Sequence, residues 1–219
     1  MSPVSTPEPA AVLAGARVVT PNGVLSDAWV QIQGDTIVAV TPRRPAADGP
    51  VLDLAGAWLL PGYIDLHVHG GGGHSVAASP QAMAAAVAFH RSRGTTATLV
   101  SLVTAPVEEL VVQSGWAAEL TRRGPGLEGC VLGTHLEGPF LSPLRRGAQN
   151  ADHMIAADPE ALGRLIDAGE GTLRMMTLAP ELEGALALIP QLRAAGVIPA
   201  IGHSDATYEQ ARAAIAAGA

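Results

Sequence analysis

From Pro61 onward the chain alternates between β-type and helix-type runs, five times over, with about thirty residues per repeat. The β-type runs are Tyr63 to His69, Thr95 to Thr104, Gly129 to Leu136, Thr172 to Ala179 and Val197 to His203. The helix-type runs are Pro80 to Arg93, Pro106 to Arg122, Pro159 to Ala168, Leu182 to Ala194 and Thr207 to Ala217. Strands spaced this widely and joined by helices lie parallel, because a tight hairpin cannot return the chain to the same direction. Two architectures fit: a doubly wound open sheet and a (β/α)8 barrel. The polar residues described below favour an α/β fold of the TIM type, a (β/α)8 barrel of which about five βα units are present. The final Gly218-Ala219 falls where a helix has finished and a strand is due, so the chain is expected to continue in a longer protein.

Residues 11 to 60 have a different rhythm. Val12 to Thr20, Ala28 to Gln33 and Thr36 to Val40 read as strands separated by turn residues, Pro21-Asn22-Gly23 and Gly34-Asp35. Val51 to Leu54 and Ala57 to Leu60 add shorter runs. A sheet unit of this size alone is marginal. The expected organisation is a disordered tail over 1–10, a small all-β unit over 11–60 and a partial barrel over 61–219. The Pro- and Ser-rich start has neither a basic region nor a long apolar run, which argues against a signal peptide.

Composition narrows the partners. Net charge is −7, which speaks against nucleic acid and anionic membrane surfaces. No stretch has the ~20 continuous apolar residues of a membrane helix. Hydrophobic residues make up 48% but aromatics only 3%, so the core must be aliphatic. The single cysteine, Cys130, reads as a buried thiol in a reducing, cytoplasmic setting. All 13 basic residues are arginines.

Functional groups of a βα barrel sit at the C-terminal ends of strands. The first strand ends in Asp65-Leu66-His67-Val68-His69, and period-2 alternation puts Asp65, His67 and His69 on one face. The third ends in His135-Leu136-Glu137 and the fifth in His203, followed by Ser204-Asp205. Three strands thus finish in imidazole or carboxylate, the donors that suit Zn²⁺ and its neighbours. His67, His69, Glu137 and His203 are read as metal ligands, and Asp65, His135 and Asp205 as groups that orient them. His74, His90 and His153 receive no role. The run Gly70 to Gly73 reads as a tight loop, the alternative being a phosphate cradle; no Gly-Lys-Ser/Thr follows it. No Gly-x-Ser-x-Gly elbow supports serine hydrolase chemistry.

The run Pro61-Gly62-Tyr63-Ile64-Asp65-Leu66-His67-Val68-His69 resembles the first-strand signature of the amidohydrolase superfamily. Thr134 to Phe140, Thr177 to Glu181 and Gly202 to Thr207 together are similar to N-acetylglucosamine-6-phosphate deacetylases. The resemblance implies that residues 11–60 are the N-terminal share of a small β-sandwich built from both chain ends. It implies Glu137 and His203 on a principal metal, and His67 with His69 on a second. One or two divalent ions remain open, zinc first, with iron, cobalt or manganese as alternatives. Many binuclear relatives carry a carboxylated lysine; this chain has no lysine, which leaves Glu137 as the anionic oxygen ligand. The resemblance also assigns substrate contact to the triplet Gly147-Ala148-Gln149, where Gln149 replaces the histidine of the family pattern. Arg145 and Arg146 just upstream are candidate phosphate contacts or a solvated pair. A further histidine ligand and the general acid-base aspartate are expected beyond residue 219.

The implied activity is hydrolysis of the N-acetyl group of N-acetylglucosamine 6-phosphate, giving glucosamine 6-phosphate and acetate, in a homodimer whose partner is this small amino-sugar phosphate. Alternatives are a deacetylase for another amino sugar, a deaminase of the same superfamily, and an inactive metal-binding fragment.

Overall fold

A computed structural model of the chain describes residues 10–45, 49–123 and 130–219. Residues 1–9, most of the expected N-terminal tail, lie outside the described residues; Ala10 already belongs to the first strand. The chain divides into two compact units, Met1–Pro61 and Gly62–Ala219.

The first unit is a five-stranded sheet. β1 (Ala10–Thr20), β2 (Gly23–Gln33) and β3 (Thr36–Thr41) form an antiparallel meander. β4 (Val51–Asp53) and β5 (Trp58–Leu59) add to β1 in parallel. Its core is small: Ala16, Val18, Ala28 and Val30 are buried. An apolar groove of about 520 Å³ runs beside it, lined among others by Leu13, Val30, Ile32 and Ile37.

The second unit carries the parallel sheet. β6 (Tyr63–Val68), β9 (Thr95–Val103), β10 (Val131–Glu137), β11 (Leu173–Leu178) and β12 (Ile198–Ile201) lie side by side in chain order, all parallel. A short hairpin of β7 (Gly70–Gly71) and β8 (His74–Ser75) follows β6. The crossovers are α1 (Pro80–Arg91), α2 (Val107–Arg122), α3 (Pro159–Ala168) and α4 (Ala185–Ala194); α5 (Tyr208–Ala217) follows β12. A doubly wound sheet reverses its strand order at a switch point. Here each new strand joins the same edge, and right-handed crossovers then keep the helices on one face. The result is an α/β fold with a curled, half-barrel parallel sheet.

The helices start where local chemistry tells them to. Ser79 caps α1 through Ala82 N, and Asp158 caps α3 through the Glu160 and Ala161 amides. Thr207 and Gln210 form a reciprocal capping box on α5. The core beneath them is aliphatic, as a chain with 3% aromatics requires: Leu102, Leu136, Leu162, Leu165, Leu188 and Ile189 are essentially inaccessible.

The end of the fifth strand moves: it stops at Ile201, not at His203. β12 pairs with β11 only as far as Leu178↔Ile201, and His203 then takes a left-handed backbone, φ +48°. The glycine run is a tight loop: a Cβ on Gly71 would lie 2.6 Å from His90 Nε2, and Gly72 has φ +60°. His90 donates from Nε2 to the Gly70 carbonyl at 2.8 Å, a structural bond.

Candidate metal centre

Parallel strands end together, so residues distant in sequence meet at one rim. Glu137, the last residue of β10, is level with Val103 of β9 and Thr177 of β11. His67 lies near the end of β6, His69 immediately follows that strand, and His203 follows β12. Glu137 is 8% exposed, and each of its carboxylate oxygens meets imidazole. Oε2 lies 3.0 Å from His69 Nε2; Oε1 lies 3.1 Å from His203 Nε2 and 3.5 Å from His67 Nε2.

The tautomers follow from the other ring nitrogens. His69 Nδ1 is 2.8 Å from the Ser101 carbonyl, and His203 Nδ1 is 2.8 Å from the Arg145 carbonyl. A carbonyl only accepts, so both Nδ1 atoms carry the proton and donate it. That leaves each Nε2 lone pair aimed at Glu137. His67 Nε2 and His69 Nε2 are only 3.0 Å apart, and both face the carboxylate. A ring N–H of His67 donated into this group satisfies it without metal, and a divalent ion satisfies it in the proton's place.

The donor set fits a metal on this ground. One ligand atom each from His67, His69 and Glu137 fall within 4.8 Å of one another. Two imidazoles and a carboxylate, with His69 held in tautomer by a backbone carbonyl, suit a first-row divalent ion. The metal-free proton balance reflects the same arrangement. The hydrogen bond to Glu137 raises the His69 pKa, against burial. Burial would raise Glu137, but the His69 bond and the charges of His67 and His69 outweigh it and hold it at about 2.

His135 stands behind the ligand set, one residue removed from it. It is 1% exposed, and its partners are hydroxyls, Ser101 Oγ at 3.0 Å and Thr177 Oγ1 at 2.8 Å. It therefore bonds no ligand directly; its ring stands 5.1 Å from that of His67. Burial, then the charge of His67, lowers its pKa to about 4. Ser101 makes the direct contacts: its carbonyl takes the His69 proton, and its Oγ accepts from Val68 N at 3.1 Å. Ser101 escaped the sequence reading, although its two-residue offset from Val103 puts it on the inward face of β9.

Asp65 accepts from the His67 amide at 3.1 Å, fixing the strand end rather than a ring. Asp205 accepts from Arg145 Nε at 2.7 Å, so it reaches His203 only through the loop whose carbonyl holds His203. That pair occupies Arg145, the first of the two arginines considered for phosphate. Glu181 ties the same segment down, accepting from Ser204 Oγ at 2.7 Å and from Asp205 N at 2.5 Å. Gly147 brings the loop against His203: an added Cβ would be 3.3 Å from its Cε1. Ala148 and Gln149 line a cavity of about 430 Å³ together with His67, His69, Glu137 and His203. His74 is exposed in the β7–β8 hairpin, and Cys130 is a buried free thiol. No helix among the described residues is long and apolar enough to cross a membrane.

No family model matches the chain. Individual proteins do. An N-acetylgalactosamine-6-phosphate deacetylase of Escherichia coli O157:H7 is 37% identical over 95% of this chain and 54% of its own length. An N-acetylglucosamine-6-phosphate deacetylase of Lysinibacillus sphaericus is 31% identical over the same shares. In structure, a variant N-acetyl-D-glucosamine-6-phosphate deacetylase from Mycobacterium smegmatis, in complex with N-acetyl-D-glucosamine-6-phosphate, matches with a TM-score of 0.87 and 45% identity. That match covers 96% of this chain and 54% of the other. The chain spans about half the length of the relatives it matches. Sequence and structure agree that this chain is similar, along nearly its whole length, to N-acetylglucosamine- and N-acetylgalactosamine-6-phosphate deacetylases.

Proposed function

We propose that the protein to which this chain belongs is a metal-dependent amide hydrolase that removes the acetyl group of N-acetylglucosamine 6-phosphate. The observation that carries the reading is the convergence of three imidazole Nε2 atoms on the Glu137 carboxylate at one rim of the sheet. Glu137, His203, His67 and His69 would hold one or two divalent ions, zinc first. When bound, such an ion supplies Lewis acidity toward an amide carbonyl and a water.

The chain's own residues prepare the site. The Ser101 and Arg145 carbonyls keep the imidazoles of His69 and His203 in the donor-ready tautomer. Glu137 supplies the negative charge that draws a cation to the rim. The 430 Å³ cavity is of the size that takes a small sugar phosphate. Ala148 and Gln149 are proposed to contact that sugar.

The reading extends to a complete (β/α)8 barrel with a β-sandwich completed by the other chain end, in a cytoplasmic homodimer. The uncovered apolar groove in the first unit supports the sandwich, because an apolar sheet face requires a second layer. A galactosamine substrate is the second reading, favoured by the 37% identity to an N-acetylgalactosamine-6-phosphate deacetylase.

The test is acetate release from each of the two sugar phosphates, using the product of the native gene loaded with zinc. Faster turnover of the glucosamine compound supports the first reading and faster turnover of the galactosamine compound the second. Metal-loaded protein that releases acetate from neither removes both.

A further inference from the structure

We infer that Gln149 is a positioning residue for Glu137, setting the carboxylate that the metal reading above makes a ligand; the inference rests on that reading. Gln149 is 8% exposed and sits in the loop after β10, yet both ends of its amide are used. Its Oε1 accepts from the Thr104 backbone N–H at 2.7 Å, and its Nε2 donates to Glu137 Oε2 at 2.7 Å. The amide has one workable orientation. Flipping it would set its NH2 against an N–H and its carbonyl against a carboxylate.

Thr104 makes the clamp two-sided. Its hydroxyl donates to the Glu137 carbonyl at 3.0 Å, while its amide holds the glutamine that holds the carboxylate. Backbone and side chain of Glu137 are thus referenced to one residue at the end of β9. The torsional freedom of the Glu137 side chain, whose loss opposes metal binding, is restrained in advance. The neutrality of the donor also matters. An arginine or lysine here would neutralise the carboxylate and compete with a cation; the amide restrains the oxygen and leaves its charge available.

The consequence is a zinc affinity that depends on a residue outside the ligand set, by the 10–100-fold typical of groups that orient ligands. The zinc dissociation constant is measured on the full chain by competition with a chromophoric chelator, for the native protein, Gln149→Leu, Gln149→Met and Gln149→His. The leucine and methionine variants preserve bulk without a donor and are expected to bind zinc about 10–100-fold more weakly. The histidine variant restores an N–H and is expected to recover most of the loss. The visible spectrum of the cobalt-loaded protein should change in the leucine variant and return toward native in the histidine variant. Two apolar substitutions guard against one failing to fold. Melting in EDTA separates a structural role, which would lower the metal-free midpoint and leave affinity alone. Apolar variants that bind zinc within about twofold of native would overturn the inference while leaving the metal site intact. A native chain that takes up no zinc would instead sink the metal reading, and the inference with it.

Discussion

His69 Nε2 stands 3.0 Å from Glu137 Oε2, and each residue moves the other's proton equilibrium in the direction that favours the ion pair. The Glu137 pKa is held at about 2, so its contribution to stability is present above the usual 4.5 and is lost as pH falls through about 2. The His69 pKa is raised, so its contribution is full below 6.5 and is lost as pH rises through the raised value. The pair therefore stabilises the metal-free protein most between those two limits. The melting difference between the native chain and Glu137→Gln in EDTA should be largest at mildly acid pH and shrink on both sides. A difference independent of pH would contradict the pairing.

Buried His135 carries the opposite sign. Its pKa falls to about 4, by burial first and then the charge of His67. The unfolded chain takes up this proton near 6.5, so stability declines as pH drops from 6.5 to about 4. A shift of that size is worth on the order of 3 kcal/mol. The ring resonances of His135 should titrate near pH 4 in the metal-free protein. A midpoint at or above 6.5 would remove this account of its hydroxyl-lined site.

Zinc should act as a folding ligand. At a free concentration one hundred times the dissociation constant, a metal that binds only the folded state adds about 2.7 kcal/mol. Thermal melts with zinc and with EDTA should differ accordingly, and Glu137→Ala should abolish most of the difference. Because His69 must lose its Nε2 proton to bind, zinc affinity should weaken as pH falls. Identical melts with and without zinc would argue that the rim binds no metal.

Gly138 is constrained by its neighbours rather than by chemistry. It has φ +104°, and an added Cβ would lie 2.1 Å from Thr104 Oγ1, the group that bonds the Glu137 carbonyl. Gly138→Ala is expected to cost about 2–4 kcal/mol, combining backbone strain with loss of that bond. Urea denaturation measures it; a cost below about 0.5 kcal/mol would mean that the loop relaxes freely.

Much of this was legible from the order of residues. The strand and helix runs, the inward pairing of His135 with Glu137 and the adjacency of His67 and His69 follow from period-2 alternation, which is local. The resemblance of Pro61 to His69 and of Thr134 to Phe140 pointed to the family that the comparisons returned. The roles of individual atoms were less accessible. The family resemblance gives Gln149 a substrate contact; only the structure shows that its amide also bonds Thr104 and Glu137. His135 is expected to orient a ligand, and only the structure names its partners, the Ser101 and Thr177 hydroxyls.

The sequence by itself determined that the chain makes a parallel α/β unit and that imidazoles and a carboxylate stand at its strand ends. Those properties depend on neighbours a few positions apart. The tertiary structure decided which oxygen of Glu137 each imidazole meets, which carbonyl takes the Nδ1 proton of His69 and of His203, and that the amide of Gln149 faces a carboxylate. A hydrogen bond is directional over about 3 Å, whereas partners such as His69 and Glu137 are 68 residues apart; only the register of the strands fixes which of them meet.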